Sequence, residues 1–164
     1  MMKLQRIHPL IWLVAAPAVL CAVTGMIRPD RWRPIGQTDL LTHQVYAYRQ
    51  WQSTGIKLEA GDLFDIRASG EWSYSPYVGL HGPEGGLWAP DWYPLTGNRD
   101  RALGGELIGR VGEAGAPFHV GRRYASTASE AGFLYLRIND DLLGDNEGAL
   151  QIELEVTPAP TAEP

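Results

Sequence analysis

The sequence predicts an all-β protein, an antiparallel β-sandwich preceded by a hydrophobic N-terminal helix. Three observations carry that prediction. From about His43 onward, apolar and polar residues alternate in short runs, as they do in strands with one buried face. Nineteen glycines and twelve prolines break those runs at regular spacing. Before them, Leu10 to Ile27 is eighteen residues long and free of charge.

Lys3 and Arg6 precede the uncharged run, and Arg28, Asp30, Arg31 and Arg33 close it. Its length is at the lower limit for a membrane span and above the usual signal-peptide core. Pro17 and Gly25 weaken a helix without excluding a span. Residues 1–27 are therefore read as a membrane anchor, with a signal cut near Val23-Thr24-Gly25 as the alternative. Cys21 follows Leu20, which is too bulky for a lipoprotein cut. Residues 28–43 read as a linker broken by Pro34 and Gly36, 44–157 as the sandwich, and 158–164 as a disordered tail.

Within the sandwich, Val45 to Trp51 mixes aromatic and polar residues in strand fashion. Ile56 and Leu58 alternate with Lys57 and Glu59, and Phe64, Ile66 and Ala68 share one face. Glu71 to Ser75 is a further short strand. Tyr77 to Gly105 breaks the rhythm with glycines, prolines, Trp88, Trp92 and Tyr93, and reads as a long loop. Its aromatics either meet a ligand or plug one end of the domain. Glu106 to Val111 and Phe118 to Val120 resume the strands. Phe133 to Ile138 and Ala149 to Val156 read as a final hairpin.

A net charge of −5 argues against nucleic-acid binding, which needs a basic face. One cysteine excludes a disulfide framework and a thiolate zinc site. The four histidines show no metal-ligand spacing, and no nucleophile elbow or phosphate-binding glycine loop is present. No catalytic residue is assigned, and the expected protein is not an enzyme.

The segment Asn139 to Gly148 holds three aspartates, two asparagines and a glutamate. Crowded carboxylates repel unless a cation sits among them, and Ca²⁺ takes six to eight oxygens from carboxylates, amides and carbonyls. The same composition also suits an ordinary turn.

Several segments, taken in order, resemble the bacterial calcium-dependent galactophilic lectins of the PA-I type. Ser69-Gly70-Glu71-Trp72-Ser73-Tyr74-Ser75-Pro76 resembles one strand of that family, and Gly82-Pro83-Glu84-Gly85 resembles its Gly-Pro-Gln-Gly segment. Gly105 to Gly112 resembles a further strand, and Asn139-Asp140 through Asn146-Glu147-Gly148 its calcium loop. The likeness spans residues 45–156 and implies a sandwich of galactose-binding-like or jelly-roll type.

It also implies Ca²⁺ as the cofactor. The implied ligands are the side chains of Asp140, Asp145 and Asn146 and the carbonyl of Tyr74, with a second carbonyl from Leu142 or Leu143. We expect Leu143. His81, Trp88, Trp92, Asp140 and Asp141 are the expected ligand-binding residues. The loop is two residues shorter than the family's, and its sugar-binding threonine has no counterpart here. Ala89 and Trp92 stand where the family has a histidine and a glutamine, so the expected sugar is not galactose. The expected partner is a glycan, for a module anchored in an inner membrane with its domain in the periplasm, or secreted if the signal is cleaved. The alternative is an envelope module that binds a protein through the Tyr77 to Tyr93 loop.

Overall fold

The computed structural model describes residues 39–96 and 103–160. The expected N-terminal helix, residues 1–27, lies outside the described residues. Among the described residues, no helix is long and apolar enough to cross a membrane.

Among the described residues, nine strands form two antiparallel sheets. They are β1 (Asp39–Tyr46), β2 (Gln52–Leu58), β3 (Leu63–Ser73), β4 (Glu84–Trp88), β5 (Leu103–Val111), β6 (Phe118–His119), β7 (Arg123–Thr127), β8 (Gly132–Ile138) and β9 (Glu147–Thr157). One sheet runs β1-β9-β3-β7 and the other β2-β8-β5-β4, with β6 paired to β5. The sheets share one apolar core. Val45, Phe64, Ile66, Leu150, Ile152, Leu154 and Val156 enter it from the first sheet, and Leu58, Leu107, Leu134, Leu136 and Ile138 from the second. The alternation of Leu150 to Val156 thus places every second side chain of β9 inside, as the period of a strand requires.

Trp72 joins the two layers. Its side chain is fully buried, and its indole N–H donates to the Gly105 carbonyl of the opposite sheet at 2.8 Å. A backbone bridge between Trp72 and His81 folds the following chain back against β3.

Four expectations are corrected. The stretch read as the end of a linker, Asp39 to His43, is the first half of β1, paired with β9 from Asp39↔Val156 onward. Its alternation is weak because Leu40 is exposed and Leu41 only half-buried. The long loop after Tyr77 contains β4, an edge strand on β5. The tail read from Pro158 begins tied to the domain, where the Ala159 N–H donates to the buried Asp62 carboxylate at 2.9 Å.

The largest correction concerns the last two strands, which are not a hairpin. β8 pairs with β2 and β5, whereas β9 pairs with β1 and β3. The acidic segment between them is a corner that crosses from one sheet to the other. Period-two alternation reports which face of a strand is buried but not which strand lies beside it, so the hairpin was not determined by the pattern.

Candidate functional site

The corner is built from both sheets. β8 ends at Ile138, and Asn139 and Asp140 then turn inward with 0% and 1% exposure. Leu143–Asp145 makes one 3-10 turn, and Asn146, 7% exposed, leads into β9. Gly148 sits opposite Trp72 with φ of 88°, where a Cβ would lie 2.9 Å from the Glu71 carbonyl oxygen. Only glycine fits that approach at that φ without strain.

Two side-chain oxygens in the corner are buried without a hydrogen-bond partner among the described residues: Asp140 Oδ2 and Asn146 Oδ1. Their other atoms are used. Asp140 Oδ1 accepts from the Leu142 N–H at 3.3 Å, and Asn146 Nδ2 donates to the Ala47 carbonyl at 3.2 Å. Desolvating an oxygen without replacing its hydrogen bond costs about 1–3 kcal/mol. Both oxygens retain capacity to accept a hydrogen bond or a cation.

The β3–β9 register brings Tyr74 to the same place. Ser73 pairs with Glu147, so Tyr74 follows one step beyond, alongside Asn146. The Tyr74 ring is buried and packs on His81 at 5.3 Å. Burial and the Asp140 charge both raise its ionisation above the ordinary phenol value. Gly105 makes room for these rings, since a Cβ there would overlap both His81 and Tyr74. His81 Nδ1 lies 3.0 Å from the Gly82 carbonyl, and its buried Nε2 has no partner among the described residues.

The remaining expected residues divide. Leu143 is half-buried and packs against the core, which holds its backbone in the corner. Asp145 is exposed, yet close enough for its charge to act on Tyr93. Asp141 turns away to face Arg137 at 3.6 Å. Trp88 and Trp92 are 51% and 68% exposed, so they do not plug the domain. Among the described residues no three His, Cys, Asp or Glu side chains gather as a metal cluster. The unpartnered donors here are one carboxylate oxygen and one amide oxygen, hard oxygens of the kind Ca²⁺ accepts.

Three residues of the corner carried no assignment from sequence. Arg137 is buried beneath it, bonding the Asp140 carbonyl through Nη2, the Ile138 carbonyl at 3.0 Å and Gln50 Oε1 at 2.7 Å. Burial holds its ionisation below the ordinary arginine value, opposed by Asp141 and Asp140. Its strand position faces outward, and no periodic signal marks it as covered by Trp51. Asn139 bonds both the N–H and the carbonyl of Leu95, at 2.9 and 2.8 Å, and the Leu103 carbonyl at 2.9 Å. Tyr93 is half-buried beside the corner, where burial, then the Asp140 carboxylate, push its phenol well above the ordinary value.

An open groove lined by Leu63, Phe64, Asp65, Ala125 and Glu155 lies at the other end of β3. Its carboxylate Asp65 is already paired with Arg67 and Arg123, both at 2.8 Å. Unlike the corner, it presents no unpartnered buried acceptor among the described residues.

No family model and no curated protein matches the chain. Among solved structures, the chain is similar to the EclA N-terminal domain, described as a PllA-like lectin. The TM-score is 0.55 and the identity 24%, over 71% of this chain and 97% of that domain. The chain thus shares that domain's β-sandwich fold.

Proposed function

We propose that the chain is a non-catalytic, Ca²⁺-dependent carbohydrate-binding module. One observation carries the reading: Asp140 Oδ2 and Asn146 Oδ1, from the two ends of a single loop, are both buried and both unpartnered among the described residues. A cation placed there satisfies both acceptors. The Tyr74 and Leu143 carbonyls and Asp145 complete the ligand set, as the sequence resemblance implies. Calcium takes six to eight oxygens, so these five donors leave roughly one to three positions, room for two sugar hydroxyls. The exposed Trp88 and Trp92 offer apolar faces to a sugar ring, and His81 a ring nitrogen. The lectin-like fold supports the reading. The uncharged segment 10–27 would hold the module at a membrane, outside the cytoplasm.

A second reading rests on a different observation. Tyr77 is 96% exposed, and Leu80, Leu87, Trp88 and Trp92 are each more than half exposed. These side chains suit a protein partner captured by the Tyr77 to Tyr93 segment, with the ion, if present, serving only as a staple.

Calorimetric titration of Ca²⁺ into chelator-stripped protein, beside an Asp140→Ala variant, tests the first reading. The expected result is micromolar binding that the substitution abolishes, followed by glycan-array signals that disappear with chelator. Absence of heat and of any shift in melting temperature would remove the ion and the lectin reading with it. Partner capture unaffected by chelator would favour the second reading.

A further inference from the structure

Two guanidinium groups meet one indole on the outer face of the second sheet. Leu134, Leu136 and Ile138 of β8 enter the core, so Tyr135 and Arg137 between them point outward. Arg110 of β5 pairs with Tyr135, and Ile108 pairs with Arg137. Gln52 pairs with Leu136, which brings Trp51 alongside Arg137. Arg110 Cζ lies 4.4 Å from the centre of the Trp51 ring and 5.3 Å from that of Tyr135. Arg137 Cζ lies 5.5 Å from the same indole.

The two arginines differ in what their N–H groups meet. Lying over an aromatic ring favours a guanidinium's charge but supplies no lone pair to its donors. Arg137 spends its donors within the protein, on the Ile138 carbonyl, Gln50 Oε1 and the Asp140 carbonyl. Arg110 lies over its two rings and makes no hydrogen bond among the described residues, and its Nε is buried without a partner.

Charge separates them as well. Arg67, Arg122 and Arg123 each lie 2.8 Å from a carboxylate, and Arg137 lies 3.6 Å from Asp141. Arg49 has no such pair but is exposed, where water solvates it. Arg110 is half-buried and has no carboxylate partner among the described residues. Its charge also acts against that of Arg137. A desolvated donor costs free energy until an acceptor meets it. An oxyanion supplies that acceptor and the missing negative charge together, and a guanidinium fork matches its geometry.

We propose that Arg110, flanked by Trp51 and Tyr135, forms an oxyanion-binding site that takes a carboxylate or sulfate group. The site is independent of the calcium reading, because none of its groups is a proposed ligand of the ion. The oxyanion is either a free ion or the acid group of a sugar.

NMR titrations of the full chain test it, following the Trp51 indole N–H in calcium-free buffer. Ionic strength is held fixed so that general screening is equal throughout. The probes are sodium sulfate, methyl glucuronide and the neutral methyl glucoside. The two anions are expected to give saturable shifts and the glucoside none. Tighter glucuronide assigns the site to an acidic sugar, and equal or tighter sulfate to a free oxyanion. Arg110→Met, which removes charge and donors, should weaken the anions at least about tenfold, as loss of a charged hydrogen bond predicts. Arg110→Lys keeps the charge without the planar fork and should fall between the two. Asp140→Ala should bind the anions within about twofold of wild type, as a separate site does. The proposal is overturned if wild type gives no saturable shift, if the glucoside binds as well as the anions, or if either Arg110 variant matches wild type. Should Arg110→Met melt early, Arg110→Lys decides alone. Loss of anion binding in Asp140→Ala also overturns it, by moving the anion to the corner.

Discussion

The strand β9 and the corner that leads into it use buried space in opposite ways. Along Leu150 to Val156, every inward position is apolar and buried, and its backbone pairs on both sides with β1 and β3. Across Asn139 to Asn146 the buried side chains are polar, and two of their oxygens lack partners among the described residues. The strand spends its buried positions on stability. The corner holds buried polar groups in place at a cost, which is the arrangement expected where a ligand is to be met.

The comparison can be broken most sharply at Ile152, which is fully buried in β9. Ile152→Ala is expected to lower stability by about 2–5 kcal/mol through lost burial and a residual cavity. Denaturant unfolding should give the same loss with Ca²⁺ as with chelator, because the residue belongs to the sheets alone. A loss confined to the calcium-free protein would show that core and corner are not separable.

Asp140→Asn should behave in the reverse sense. If Ca²⁺ binds as proposed, a concentration a hundredfold above its dissociation constant should add about 2.7 kcal/mol to wild type by mass action. The variant should gain almost nothing, yet melt close to wild type in chelator. Melting curves of both proteins in the two buffers decide it, and an equal calcium gain in both would exclude Asp140 as a ligand.

The smallest effect lies on the outer face of the first sheet. Hydrogen bonding and charge from Arg123, opposed by partial desolvation and helped by Arg67, hold Asp65 below the ordinary carboxylate value. A depressed carboxylate contributes stability above its unfolded value and loses it as pH falls through its folded one. Asp65→Asn should therefore melt slightly below wild type at pH 7, and the gap should close as the pH drops below about 4, the usual aspartate range. A gap that persists in acid would mean that packing, not charge, is responsible.

How much of this was legible in the sequence follows from the same contrast. Phe64, Ile66 and Ala68, and Leu150, Ile152, Leu154 and Val156, announce themselves because alternation is a direct consequence of strand geometry, and all are buried as expected. Asp140 and Asn146 stood out by composition. Arg137 did not, and Asn139 and Tyr93, though inside segments that stood out, carried no role, because their roles come from what the fold lays over them. A buried arginine on an outward strand position carries the same local pattern as an exposed one. The contact between Asn139 and Leu95 spans 44 residues, beyond the reach of any local signal.

The pairing of β1 with β9 has a mechanical consequence. Asp39 lies opposite Val156, while Tyr46, at the far end of β1, lies opposite Ala149 beside the corner. A pull between the start of β1 and a ligand held at the corner therefore runs along the strands. The eight residue pairs of the β1–β9 ladder would bear it together in shear, and none could be peeled away singly. A module tethered through residues upstream of Asp39 and gripping a ligand at Asp140 would be loaded in the direction in which its backbone ladder is hardest to part.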